Sequence, residues 1–173
     1  GKKRRKAIVW FQGGPGASSL EGMFHYGGPW AIENFSEPRL KERAVHFAQV
    51  ADTYFIEAPG GVGFSRNVHT RILNDTVFGQ QAGMALCALN LEKKYDSLVV
   101  AGESYSGVFI PLTVDFYLRH CKQRPKHIAI YVGNGCVGTD RGPCVNKDRG
   151  QYTLQALAEH SLVTRKTYDR VLH

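Results

Sequence analysis

Four short apolar runs, each ending in a glycine-rich loop, constrain the fold of this chain more than any other feature. They cover residues 7–11, 51–56, 98–101 and 128–132. The first run shows no polar alternation, which is typical of a strand buried on both faces of a sheet. If the runs are parallel strands, their glycine loops lie together at the carboxyl edge of the sheet, where such sheets bind ligands.

The segments between and after these runs predict helices. They cover residues 76–94, 105–120, 149–160 and 164–172, and Asn74 or Asp75 could cap the first one. Strands that alternate with helices predict an α/β fold with a central parallel sheet and flanking helices. The length of 173 residues is that of a single domain, so we expect one domain over residues 1–173.

Composition and charge exclude several other classes of protein. Hydrophobic residues make up 43% of the chain and charged residues 21%, values that exclude a disordered chain. No apolar run approaches the roughly 18 residues of a membrane span. The net charge is +7, and five of the positive charges lie in residues 2–6. Because no aromatic residues interleave with this cluster, we interpret it as a solvated segment and expect no nucleic-acid partner.

The cysteines do not have the spacing of a zinc site, and we expect neither a metal nor a cofactor. Cys87 lies in an apolar segment and is predicted to be a buried thiol. Cys136 and Cys144 flank a loop of glycine and proline and could form a local disulfide. Two Asn-X-Ser/Thr sequences, at Asn34 and Asn74, slightly favour a glycoprotein of the secretory pathway.

The third apolar run leads directly into Gly102-Glu103-Ser104-Tyr105-Ser106-Gly107, and a predicted helix follows. A serine between small residues, placed between a strand and a helix, is typical of a nucleophile elbow. This tight turn needs small residues two before and two after the serine, as Gly102 and Ser106 are. It would hold the Ser104 hydroxyl near a helix N-terminus, which favours developing negative charge. The alternative is an ordinary turn that contains a serine.

An oxyanion hole in such an enzyme needs two backbone N–H donors. The residue after the nucleophile, Tyr105, would supply one. Gly13-Gly14-Pro15-Gly16, which follows the first apolar run, exposes backbone N–H groups that could supply the other. Residues 133–138 match a dinucleotide-binding Gly-x-Gly-x-x-Gly, but Gly142-Pro143 interrupts the helix that should follow, so we set this interpretation aside.

Four boxes, in the same order along the chain, resemble those of the serine carboxypeptidases. Residues 10–20, WFQGGPGASSL, resemble W-x-N-G-G-P-G-C-S-S-L, and residues 57–65, EAPGGVGFS, resemble E-S-P-x-G-V-G-F-S. Residues 102–107, GESYSG, resemble G-E-S-Y-A-G, and Gly133-Asn134-Gly135 resembles the G-N-G loop. The resemblance implies an α/β-hydrolase fold with a Ser-Asp-His triad.

By position, the resemblance implies a role for individual residues. Ser104 would be the nucleophile, and Gly14 and Tyr105 the two oxyanion donors. The residues that match those holding the free carboxylate of the substrate are Gln12, Gly13 and Glu103. A carboxyl kept neutral by burial or by a nearby carboxylate can donate a hydrogen bond to that carboxylate, which implies an acidic pH optimum.

This chain departs from the family pattern at the same site. Gln12 stands where the family has Asn, and Tyr26 where it usually has a Glu that partners the other carboxyl. Ala17 replaces a cysteine that is commonly in a disulfide. The amide and the phenol can still donate hydrogen bonds, but a lone Glu103 would titrate differently from a pair of carboxyls.

In α/β-hydrolases the triad follows the order Ser, acid, His. The candidates after Ser104 are Asp115, Asp140, Asp148, Asp169, His120, His127, His160 and His173. Most of these fall within predicted helices or at the amino end of a strand, and only Asp140 and Asp148 remain as possible acids. The resemblance implies that the chain is an incomplete, N-terminal to middle portion of the fold. We therefore expect this chain alone to be inactive.

These observations together predict a serine carboxypeptidase that releases C-terminal residues from peptides or proteins through a Ser104 acyl-enzyme. A family acyltransferase, and a non-catalytic homologue that acts as a binding protein, remain as alternatives. The expected location is the secretory pathway, with a lysosomal, vacuolar or secreted protein. Nothing in the sequence predicts an oligomeric state.

Overall fold

The computed structural model of the chain describes residues 5–34, 36–66, 74–136, 144 and 149–172. The chain divides into two compact units, Gly1–Gly135 and Cys136–His173. The single domain expected over residues 1–173 stays a prediction. The candidate acids Asp140 and Asp148, and His173, lie outside the described residues.

The first unit alternates strands with helices. In chain order its elements are β1 (Lys6–Phe11), α1 (Ser19–Glu21), a π-helical stretch (Gly22–Gly27), β2 (Trp30–Ile32), β3 (Leu40–Glu42), a 3-10 turn (Phe47–Gln49), β4 (Asp52–Phe55), α2 (Asp75–Ala88), a second 3-10 turn (Leu91–Lys93), β5 (Ser97–Glu103), α3 (Ser106–His120) and β6 (His127–Gly133). All four predicted strands are present, and their bounds lie close to the predicted ones.

The main sheet has four parallel strands in the order β4-β1-β5-β6. In the register of β1, Val9 pairs with Tyr54 on one side and with Val100 on the other. Val9 and Val100 are fully buried, which explains why the run around Val9 lacks polar residues. The predicted parallel sheet is confirmed, and it places the loops after β1, β4, β5 and β6 at one edge.

Helices α2 and α3 pack against each other at very short range. A Cβ atom at Gly83 would lie only 2.5 Å from the Phe116 ring, so glycine is needed where the helices approach. The same approach brings Cys87 and Cys121 together in a disulfide, with their Cα atoms 5.6 Å apart. The prediction of a buried free thiol at Cys87 is therefore wrong, because its partner follows the next helix and lies 34 residues further along the chain.

Two local features differ from the sequence-based expectation. Helix α2 ends at Ala88 rather than at residue 94, because Asn90 adopts a left-handed conformation with φ of 47°. The antiparallel pair β2 and β3 was not predicted, since each strand has only three residues and shows little apolar pattern.

The second unit contains two short helices, α4 (Arg149–Glu159) and α5 (Arg165–Leu172), which pack against each other. Both agree with the predicted bounds to within a residue. The predicted local disulfide between Cys136 and Cys144 is confirmed. In the described ranges no helix has the length and apolar character needed to cross a bilayer. No group of three potential metal ligands occurs in those ranges either.

Candidate active site

Ser104 occupies the sharp turn between β5 and α3. The strand ends at Glu103 and the helix begins at Ser106, so the chain reverses direction over two residues. Ser104 has a φ of 59°, a left-handed conformation that costs energy for a residue with a side chain. Its backbone N–H donates to the Gly133 carbonyl at 2.9 Å, and its carbonyl accepts from Gly107 at 3.0 Å. This is the strained strand-to-helix turn that the pattern around Ser104 predicts.

The glycine loop after β1 lies directly against this turn. A Cβ atom at Gly13 would come within 2.5 Å of the Glu103 carbonyl oxygen and 2.7 Å of the Tyr105 nitrogen. Only glycine fits there without displacing the backbone. Gly14 has a φ of +110°, a conformation that residues with side chains rarely adopt. The two predicted sources of oxyanion donors, the Gly13-Gly14 segment and Tyr105, are therefore neighbours in the structure.

A chain of side-chain hydrogen bonds connects the end of β1 to the end of β5. The indole Nε1 of Trp10 donates to Gln12 Oε1 at 2.9 Å, and Gln12 Nε2 donates to Glu103 Oε2 at 3.1 Å. Because the indole N–H can only donate, it orients the Gln12 amide with its NH2 group toward Glu103. Gln12 is 4% exposed, so both contacts form in a largely dry environment.

Tyr26 stands beside this chain on the π-helical stretch. Its ring lies 6.2 Å from the ring of Trp10, and the residue is 47% exposed. Partial burial raises the pKa of the Tyr26 phenol, and the negative charges of Glu103 and Glu21 raise it further. The hydroxyl therefore remains a neutral hydrogen-bond donor near Glu103. The structure brings together the four residues that we predicted to bind substrate, Gln12, Gly13, Tyr26 and Glu103. Their role in substrate binding stays a prediction.

Hydrogen bonds to Glu57 connect the glycine loops that follow β1 and β4. The sequence analysis did not identify this role. One carboxylate oxygen accepts from the Ser18 hydroxyl at 2.6 Å and the other from the Ser19 backbone N–H at 3.0 Å. The Ser19 hydroxyl in turn donates to the Ile56 carbonyl at 2.6 Å and accepts from the Gln12 backbone N–H at 3.0 Å. One sequence signal could have revealed this network. It is a carboxyl just after β4 together with serines after the first glycine loop.

A cavity of about 640 Å³ opens at the same edge of the sheet. Its walls come from Pro15, Gly16, Pro59, Gly60, Gly61, Val62, Asn74, Asp75, Phe78 and Tyr105. The Tyr105 hydroxyl donates to Asp75 Oδ1 at 2.8 Å, and this hydrogen bond, together with partial burial, raises the pKa of Tyr105. The volume lies in the range of ligand-binding clefts, and the residue after Ser104 lines it.

The candidate triad partners in the described part of the first unit lie far from Ser104. His120 is at the far end of α3, so the rise along the helix places it roughly 20 Å from the turn. His127 begins β6, whereas Gly133, which contacts Ser104, ends it, and a strand of that length spans about 20 Å. Asp115 is exposed and pairs with Arg119 at 2.8 Å. His160 and Asp169 belong to the second unit.

The chain is similar to several known proteins. A family model described as "Serine carboxypeptidase" matches residues 1–173. The chain is 32% identical over 137 residues to the lysosomal protective protein of Mus musculus, an alignment that covers 77% of the chain and 28% of the relative. It is 30% identical over 139 residues to the pheromone-processing carboxypeptidase KEX1 of Ogataea parapolymorpha, with 79% of the chain and 22% of the relative covered.

A solved structure shares the same fold. The crystal structure of a prohormone-processing carboxypeptidase from Saccharomyces cerevisiae superposes with a TM-score of 0.69 at 23% identity, covering 94% of the chain and 35% of that structure. The predicted α/β-hydrolase fold is confirmed by this likeness. The chain spans about a quarter of the length of the curated relatives it matches.

Proposed function

The chain belongs to the serine carboxypeptidase family, and on this premise we propose that Ser104 is the nucleophile of a serine-type carboxypeptidase. The whole protein releases residues from the C-termini of peptides or proteins. The observation that carries this proposal is the strained conformation of Ser104, with φ of 59°, directly against the Gly13-Gly14 backbone. A serine held in this way is exposed for attack and close to backbone donors.

The reaction begins when the Ser104 hydroxyl attacks the carbonyl carbon of the last peptide bond. The negative charge that develops on the carbonyl oxygen is stabilised by the N–H groups of Gly14 and Tyr105. The peptide C–N bond then breaks, the released residue leaves, and water hydrolyses the ester on Ser104. The C-terminal end of the substrate meets Gln12 and Glu103, the first of which is fixed by its hydrogen bond from Trp10.

Ser104 needs a general base to take its proton. In the described residues of the first unit, the hydrogen bonds of Ser104 involve only its backbone, and His120 and His127 lie at the far ends of their elements. The activity is therefore assigned to the whole protein that contains this chain, which spans about a quarter of the length of its relatives.

The disulfides and the relatives of the protein support a location in the secretory pathway. Two disulfides, Cys87–Cys121 and Cys136–Cys144, are typical of an oxidising compartment. The name of the mouse relative places that relative in the lysosome. We assign the protein to the secretory pathway, with a lysosome, a vacuole or the exterior as its destination.

Labelling of the full-length gene product with a fluorophosphonate probe tests the nucleophile. The label should appear on Ser104 and disappear in Ser104→Ala, whereas Ser97→Ala, at the opposite end of β5, should keep it. The protein should also release the last residue of a blocked dipeptide, and it should lose this activity as Ser104 becomes labelled. Absence of labelling in a folded full-length protein would favour the non-catalytic homologue. Transfer of the acyl group to an alcohol, with no release to water, would identify an acyltransferase.

A further inference from the structure

The carboxyl of Asp75, at the start of α2, receives a hydrogen bond from the side chain of the residue after Ser104. The Tyr105 hydroxyl donates to Asp75 Oδ1 at 2.8 Å, and the two residues are 30 positions apart in the chain. The bond joins the first residue of α2 to the residue that precedes α3. The proposed function uses only the backbone N–H of Tyr105, so it leaves this side-chain contact without a role.

Asp75 has a well-defined position relative to the turn, because α2 is packed closely against α3. A Cβ atom at Gly79 would lie 2.6 Å from the Cβ of Leu112, and the rings of Phe78 and Phe109 stack with their centroids 3.8 Å apart. A disulfide joins the two helices near their C-terminal ends. The hydrogen bond between Asp75 and Tyr105 joins the same pair at its N-terminal end.

The backbone of Tyr105 offers a donor that other backbone groups leave free. The N–H groups of Gly14 and Tyr105 donate to no backbone carbonyl in the residues that the structure describes. The Tyr105 carbonyl accepts from the Val108 N–H at 3.0 Å, and the Tyr105 side chain does not cap α3. The side-chain bond to Asp75 is therefore an additional constraint on a residue whose own N–H is available to a ligand.

The Tyr105 phenol stays a hydrogen-bond donor in this position. The hydrogen bond to Asp75, followed by partial burial and the Asp75 charge, raises the pKa of Tyr105 above its ordinary value. A phenol donates to an amide oxygen as well as to a carboxyl oxygen. The contact thus requires a hydroxyl at position 105 and an acceptor oxygen at position 75.

We propose that Asp75 is a positioning residue for the oxyanion donor: through the Tyr105 phenol, it fixes the Tyr105 backbone N–H where the negative charge develops. Donors fixed before the reaction need no rearrangement during it, and a misplacement of about 1 Å can lower the rate about 100-fold. Asp75 acts only through Tyr105 and touches no reacting atom. This inference rests on the proposed function, because it needs Ser104 as nucleophile and Tyr105 as donor.

A second role for the same contact must be separated from this one, because Asp75 and Tyr105 both line the cavity of about 640 Å³. A cavity wall that binds the substrate and the transition state equally well changes KM when it is altered. A contact that acts only on the developing charge changes kcat and leaves KM nearly constant. The two kinetic constants therefore distinguish a positioning residue from a cavity wall.

Steady-state kinetics of the full-length gene product with a blocked dipeptide tests the inference. Asp75→Ala removes the acceptor and Tyr105→Phe removes the donor, and each should lower kcat about tenfold with little change in KM. The double variant should lose no more than either single variant, because both changes break the same bond. Asp75→Asn keeps an acceptor oxygen and should recover most of the kcat that Asp75→Ala loses.

Tyr54→Phe is the matched control for the loss of a bonded phenol. The Tyr54 hydroxyl bonds to the Tyr95 hydroxyl at 2.8 Å. Tyr95 precedes β5, whereas Ser104 follows it, so this bond lies toward the opposite edge of the sheet. The variant should lower stability, measured by denaturant unfolding, without the loss of kcat.

Each other outcome contradicts the inference. Unchanged kcat in Asp75→Ala and Tyr105→Phe, or a loss that appears only in KM, would overturn it and leave the proposed function intact. Additive losses in the double variant, no recovery in Asp75→Asn, or an equal loss of kcat in Tyr54→Phe would overturn it as well. If the full-length protein neither cleaves the dipeptide nor is labelled at Ser104, the proposed function fails and the inference fails with it.

Discussion

Gln12 and Glu103 lie 91 residues apart in the chain and are joined by a hydrogen bond of 3.1 Å from Nε2 to Oε2. The bond connects the end of β1 to the residue before Ser104. It holds a carboxyl next to the candidate nucleophile in one orientation, and the Trp10 indole holds the amide that makes it. The role in substrate binding that we propose for Gln12 and Glu103 depends on this hydrogen bond.

Gly13→Ala should reduce activity strongly. The added Cβ would meet the Glu103 carbonyl at 2.5 Å and the Tyr105 nitrogen at 2.7 Å, so the loop would move away from the nucleophile turn. Loss of one oxyanion donor typically lowers kcat by about 100-fold to 1000-fold, and we expect a similar loss. Steady-state kinetics of the full-length protein measures it. Gly150→Ala is the control, since a Cβ there has no atom within 4 Å, and unchanged activity in Gly13→Ala would contradict the expected geometry.

Ser106→Ala should stabilise the protein by about 1 kcal/mol. The Ser106 hydroxyl is fully buried and has no hydrogen-bond partner among the described residues, so its desolvation is not compensated. Chemical unfolding of the two proteins measures the difference. Ser19→Ala is the contrasting variant, because the Ser19 hydroxyl is equally buried but bonds to Ile56 and Gln12, and it should lower stability. Destabilisation by Ser106→Ala would show that its hydroxyl has a partner.

Glu57→Gln should destabilise the protein by about 1 to 3 kcal/mol. The amide keeps one acceptor oxygen, but its NH2 group would face either the Ser19 N–H or the Ser18 hydroxyl, so one of the present hydrogen bonds is lost. Because these bonds connect the two glycine loops, activity should fall as well. Glu37→Gln removes an exposed ion pair with Arg39 and should change stability little. Equal changes in stability in Glu57→Gln and Glu37→Gln would show that Glu57 does not position the two glycine loops.

Removal of the Cys87–Cys121 disulfide should lower the free energy of unfolding by about 4 kcal/mol. The bond closes a loop with a sequence separation of 34, and the loss corresponds to the chain entropy that such a crosslink removes from the unfolded state. The double variant Cys87→Ala and Cys121→Ala, compared with the oxidised protein by denaturant unfolding, measures it. A change well below about 1 kcal/mol would mean that the bond does not constrain the unfolded chain.

Stability should fall with rising pH above the ordinary titration range of tyrosine. Burial of Tyr95, followed by its hydrogen bonds to Tyr54 and Asp52, raises its pKa in the folded protein. Above about pH 10 the unfolded chain loses this proton while the folded protein keeps it, so the free energy of unfolding decreases by up to about 1.4 kcal/mol per pH unit. Tyr95→Phe should flatten that slope, whereas Tyr131→Phe, at an exposed position, should not. An unchanged slope in Tyr95→Phe would contradict the assignment.

Local sequence patterns predicted the elements of the fold well. The glycine loops marked the ends of the strands because glycine interrupts an apolar run, and the bounds of α3, α4 and α5 agree with the sequence to within one residue. The turn at Ser104 was also predictable, since the small residues Gly102 and Ser106 are needed by the turn itself. In these cases the determining interactions lie within a few residues of one another.

The partners of side chains distant in sequence were not predictable in the same way. The family resemblance indicated Gln12, Tyr26 and Glu103 as site residues. It did not indicate the hydrogen bond between Gln12 and Glu103. The apolar segment around Cys87 predicted a buried thiol there, and no sequence pattern indicated a role for Glu57. Each of these contacts joins residues more than 30 positions apart.

Steric limits and apolar periodicity act between near neighbours, and they were enough to predict the four strands of the main sheet, the helices α2 to α5 and the strained turn. The pairing of polar groups at the carboxyl edge of the sheet, by contrast, depends on contacts between residues far apart in the chain. The packing of β1 between β4 and β5 brings the Trp10–Gln12 segment to Glu103 and the Ser18–Ser19 segment to Glu57. Most buried polar groups are paired, and the partner that each one finds depends on the order of the strands.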